Sequence, residues 1–128
     1  MNATDILREA IRLEKLLTNK GFNSPKVEVS INFSVRELTA NIAYKAGSEY
    51  QYHFIHIEAA DGFDSLLDDT EEYINGLKSV QQIQKEVFIA SVGRLIDQGR
   101  EIGVEVEFLN PLTAMMDKLS SNILEQAA

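Results

Sequence analysis

Residues 36–59 read RELTANIAYKAGSEYQYHFIHIEA, and the Gly47-Ser48 pair inside them decides the fold. A two-residue loop with Gly first suits a type II′ turn, which joins two antiparallel strands and sets their register. The strands Arg36 to Ala46 and Glu49 to Ala59 then pair with Ala46 facing Glu49, Ile42 facing His53, Ala40 facing Ile55 and Leu38 facing Ile57. One face collects Leu38, Ala40, Ile42 and Tyr44 with His53, Ile55 and Ile57. The other carries Tyr50, Tyr52, Phe54, His56 and Glu58. A slip of one residue would exchange the two faces, so the turn and the apolar pattern test each other. They agree.

Upstream, Lys26 to Phe33 alternates with Val27, Val29, Ile31 and Phe33 on one side, a strand that completes a meander. Before it, Thr4 to Lys20 reads as a helix: Thr4 caps, Asp5 sits in the first turn, and Gly21 stops it. Its apolar stripe is Ile6, Ala10, Leu13 and Leu17, with Arg8, Arg12 and Lys15 on the wet side. Downstream, a helix is predicted from Asp61 to Asn75, ending at Asn75-Gly76. A Ser79-x-x-Gln82 capping box opens another that runs to Ile102. Val104 to Phe108 alternates as a short fourth strand, and Asn110 with Pro111 starts a last helix carrying Leu112, Met115, Met116, Leu119 and Ile123. The predicted order is α-βββ-αα-β-α. The class is α+β, an antiparallel three- to four-stranded meander with packed helices, in one domain over residues 1–128.

Composition bounds the function. The chain of 128 residues has no Cys, so disulfides and thiolate metal sites are excluded. No basic stretch followed by an apolar run opens it, and no apolar run approaches the ~20 residues of a membrane span, so a cytoplasmic protein without membrane partners is expected. Net charge is −8, which argues against nucleic acid as a partner. The charge is uneven: residues 1–50 hold seven basic and six acidic side chains, residues 51–128 five and fourteen.

The densest acidity lies in the predicted second helix. At about 100° per residue Asp61, Asp64, Asp68, Glu71 and Glu72 share one side, and no Lys or Arg falls between Asp61 and Leu77. Like charges at i,i+4 cost about 0.2–0.5 kcal/mol per pair. The stripe reads as a solvated face or as a docking surface for a basic partner. A divalent-metal role is disfavoured, because the spacing lacks the glycine turn and alternating oxygens of a calcium loop.

A second candidate is Glu37, His56 and Glu58 on the outer sheet face, where the register sets Glu37 opposite Glu58 and Thr39 opposite His56. Facing carboxylates repel unless an imidazole or a divalent metal neutralises them. The plainer reading is a ladder that ends before this pair. His53 and His56 point to opposite faces and cannot chelate together. Tyr50, Tyr52 and Phe54 stand on that outer face as well. Aromatics on an open sheet stack bases in some modules, but the surrounding balance is acidic and no basic-aromatic signature accompanies them, so burial under the later helices or in a homodimer is expected. No nucleophile elbow, catalytic pair or phosphate-cradling glycine loop is present.

Over residues 4–75 the order α-β-β-β-α is similar to that of double-stranded-RNA-binding domains. That family places lysines at the start of the second helix to grip phosphates, where this chain has Asp61, Asp64, Asp68 and Asp69. In general character the chain also resembles small acidic phage and bacterial proteins that dock onto host proteins. The expectation is a non-catalytic interaction domain without cofactors, meeting a basic protein surface through Asp61, Asp64, Asp68, Glu71 and Glu72. The alternative is a metal-binding domain or metal-dependent enzyme built on Glu37, His56 and Glu58. Helices 3 and 4 expose enough apolar positions to call for each other or for a second copy.

Overall fold

A computed structural model describes residues 2–127, with side chains through residue 122. The chain divides into two compact units, residues 1–80 and 81–128.

The first unit is α1 (Ala3–Asn19), β1 (Asn23–Asn32), β2 (Glu37–Ala46), β3 (Glu49–Glu58), a 3-10 turn at Ala59–Asp61, and α2 (Gly62–Gly76). Helix α1 begins two residues from the expected cap. Asn2 is the N-cap, its side chain accepting from the Asp5 amide at 2.9 Å while Asp5 reaches back to the Asn2 amide. This reciprocal capping box satisfies two amides, where Thr4 would have satisfied one. The helix ends as the sequence predicts. Phe22 N–H donates to Leu17 O and Gly21 N–H to Thr18 O, a Schellman pattern that needs Gly21 at φ +93°.

The sheet order is β1-β2-β3, antiparallel throughout. Gly47 has φ +73° while Ser48 stays out of the left-handed region, as a II′ turn requires. The register is the expected one, with Ala46 opposite Glu49, Ile42 opposite His53 and Glu37 opposite Glu58. Strand β1 starts earlier than its alternation suggests, through an irregularity between Asn23 and Lys26 where Ser24 takes φ +50°. Phe33 falls beyond it and stays exposed. Among the described residues neither β1 nor β3 has a strand on its outer side.

Both helices cover the same sheet face, α1 over β1 and α2 over β2 and β3. Between the layers Leu13, Leu17, Leu38, Ile42, Leu66 and Ile74 are essentially inaccessible. Each such side chain contributes roughly 1.5–3 kcal/mol by burial. At one end of this core His53 stacks flat on Tyr73 at 3.9 Å, and Tyr73 shares a 2.8 Å hydroxyl bond with Tyr44. Burial, then the Tyr44 hydroxyl, push the Tyr73 phenol well above its ordinary pKa.

The second unit is a helical hairpin of α3 (Val80–Glu101) and α4 (Val106–Ala127). Gly103, at φ +81°, turns the chain, and Val104 N–H closes onto Gly99 O at 2.8 Å. The helices are antiparallel, with Gly99 against Leu109 and Gly93 against Met116. The expected fourth strand does not form: Val104 and Glu105 are irregular, and Val106–Phe108 open α4. Five alternating residues are a short signal. The spacing Leu109, Leu112, Met116, Leu119 carries a helical period back through them, and Glu107 suits a helix N-terminus. Pro111 therefore lies inside α4 instead of at its first position. The Ile123 side chain predicted for this helix lies outside the described residues.

Candidate functional site

Helix α2 sorts its side chains by phase. Leu66, Leu67, Thr70 and Ile74 are buried, so the opposite side must carry whatever is left. That side holds Asp64, Asp68, Asp69 and Glu72, all exposed, and Asp61 just before the helix is exposed too. Asp61 sits in the 3-10 turn and makes no side-chain capping bond. No Lys or Arg occurs between Gly62 and Gly76 to offset these charges.

Glu71 does not belong with them. It is half-buried and turns towards α1, where the Arg12 guanidinium donates to its two oxygens at 2.8 and 3.2 Å. The Arg12 hydrogen bond holds the Glu71 carboxyl below its ordinary pKa, and Glu71 followed by Glu9 holds Arg12 above its own. Along the same groove Asp5, Arg8, Glu9 and Arg12 of α1 face Asp64, Leu67 and Asp68 of α2 across a shallow cleft of about 560 Å³. The stripe read from the sequence thus divides. One member is spent tying the helices together, Asp64 and Asp68 border a mixed-charge cleft, and Asp61, Asp69 and Glu72 stand outside it.

The Glu37, His56 and Glu58 positions come together only pairwise. Glu37 and Glu58 are register partners, and His56 Nδ1 lies 3.9 Å from Glu37 Oε2 and 3.3 Å from Thr39 Oγ1. Among the described residues no group of three or more His, Asp or Glu is arranged to hold a metal ion. Nor is this a proton relay. Thr39 and Glu37 approach the same ring nitrogen, whereas a nucleophile and its orienting acid need opposite ones.

The outer sheet face is open. Tyr50, Tyr52 and Phe54 are 45, 66 and 56% exposed, because both helices of this unit lie on the other face. The expected burial under α2 is therefore not found. Tyr50 and Tyr52 stack at 5.8 Å, and the Lys45 ammonium sits 4.8 Å above the Tyr50 ring. Beside Phe54, its register partner Asn41 keeps a buried Oδ1 that no donor among the described residues reaches.

Sequence reasoning missed the Arg12–Glu71 tie. The signal was half visible, since Arg12 interrupts the wet side of α1, but nothing local says which acid meets it.

Compared with known proteins, the chain matches no family model, no curated protein and no solved structure. Among the described residues, no helix is long and apolar enough to cross a membrane.

Proposed function

We propose that this chain is a non-catalytic protein-interaction domain that meets a basic protein surface through the acidic side of α2. The observation that supports the reading most is the row of exposed carboxylates at Asp61, Asp64, Asp68, Asp69 and Glu72, on an element with no cation of its own. A folded domain tolerates like charges at i,i+4 at a cost of a few tenths of a kcal/mol each. A basic partner converts that cost into attraction and into faster encounter. Glu71, already matched by Arg12, positions the helix and stays out of the contact. The proposed setting is the cytoplasm.

The test is binding of a Lys/Arg-rich probe peptide, followed by fluorescence anisotropy at low and high salt. The wild type binds with an affinity that falls as salt rises. Asp64→Lys, Asp68→Lys and Glu72→Lys combined abolish binding, while Glu71→Gln leaves it in place. Equal binding by the triple variant makes the stripe nothing more than solvated surface.

A further inference from the structure

The second unit carries an unpartnered face that the acidic helix does not explain. On α3, Phe88 and Leu95 are seven residues apart, and at 100° per residue both lie roughly 40–60° to one side of buried Val92. On α4, Phe108 and Met115 are again seven apart, roughly 100–120° from buried Leu109 in the same rotational sense. Reversing one helix, as the antiparallel pairing of Gly99 with Leu109 does, brings both rows to a single face of the hairpin. These four side chains are 54, 56, 65 and 41% exposed. The polar positions between them, Gln84, Ser91 and Gln98, are uncharged. Glu86, Asp97, Arg100 and Asp117 project to the other side by the same phase. Where Phe88 meets Leu119 and Asn122 the face is hollowed by a groove of about 410 Å³, bordered by Lys85.

We infer that this face is where two copies of the chain associate, closing their hairpins into a four-helix bundle. The area suffices. Two 22-residue helices are roughly 33 Å long and lie about 8–10 Å apart, a face of roughly 600–700 Å². Pairing two such faces removes roughly 1,300 Å² from water, within the about 1,200–2,000 Å² of a stable interface. The need is present too. Among the described residues, Val92, Ile96 and Leu109 are the buried apolar side chains of this unit, a small core for a 48-residue element. The composition selects the occupant. Arg94 reaches the face, donating to Ser91 Oγ at 3.2 Å, but no carboxylate lies among Phe88, Leu95, Phe108 and Met115, so two chains of net charge −8 can approach most closely here.

Light scattering after size exclusion on the full chain, at roughly 100 µM to populate a micromolar dimer, tests this directly. The expected mass is twice 14.4 kDa. Phe88→Glu with Leu95→Glu weakens association at least about 100-fold, because a dimer would bury unpaired carboxylates, and helical circular dichroism stays unchanged. The milder Phe108→Gln with Met115→Gln weakens it in the same direction, which covers the case in which the double Glu variant misfolds. Asp64→Lys, Asp68→Lys and Glu72→Lys combined leave the dimer intact, so this inference and the acidic-docking reading fail separately. A monomeric wild type, including one that cosediments with phosphatidylcholine vesicles, overturns the proposal. So does a dimer that survives both apolar-face variants.

Discussion

Arg12 and Glu71, separated by 59 residues, meet through two hydrogen bonds of 2.8 and 3.2 Å and fix α2 against α1. Arg12 also donates to Glu9 on its own helix at 2.9 Å, so its guanidinium is held from both sides. Buried Leu66, Leu67, Thr70 and Ile74 set the rotation of α2, and the planar fork of the pair adds a directional tie at its surface.

Glu71→Gln tests that tie. The side chains are 34 and 43% exposed, so solvent screening limits the loss to about 1 kcal/mol or less in urea denaturation. Because the folded state lowers the Glu71 pKa, the contribution is complete above the ordinary value of 4.5 and disappears as pH falls through the lowered one. A difference between wild type and variant that persists undiminished at strongly acid pH would assign the effect to packing instead.

Tyr73→Phe removes one half of a hydroxyl pair whose other half, Tyr44, is 6% exposed. The stranded Tyr44 hydroxyl costs roughly 1–3 kcal/mol. In the wild type the raised Tyr73 pKa means this stabilisation is intact below the ordinary value of 10 and is lost as pH climbs through the folded-state value. Ultraviolet titration reads it: the Tyr73 phenol ionises above its ordinary value, and in the variant that step is gone.

The hairpin glycines are expected to respond with opposite signs. A Cβ on Gly99 would lie 2.8 Å from Leu109 Cδ2, so Gly99→Ala forces a buried leucine to move. Overpacking costs about 1–3 kcal/mol and outweighs the roughly 0.5–1 kcal/mol gained in helix propensity. At Gly93 the nearest atom is Met116 Sδ at 3.4 Å, an ordinary contact, so Gly93→Ala stabilises by several tenths of a kcal/mol. Thermal melts of the two variants moving in the same direction would refute the packing assigned to this seam.

The meander was legible because its information is local. Gly47-Ser48 dictates a turn, the turn dictates a register, and alternation along residues 38–57 identifies the inner face. The region 104–108 was misread because five residues suit either period, and only the longer spacing through Leu119 breaks the tie. The acidic row of α2 was readable from composition and phase. Its loss of Glu71 was not, since the partner comes from another helix and no pattern within α2 announces it. The exposure of Tyr50, Tyr52 and Phe54 was likewise hidden, because covering one sheet face or two is decided by tertiary packing.

Among the described residues strand β3 has no strand on its outer side, and along it Tyr50 to Ile57 runs for eight residues without a carboxylate, lysine or proline. Such a segment is a template for intermolecular cross-β growth. Glu49 and Glu58 bracket it as gatekeepers. They do so in a chain whose surplus of negative charge keeps unfolded copies apart. The acidity gathered on α2 therefore also opposes association of copies along this edge during synthesis and refolding.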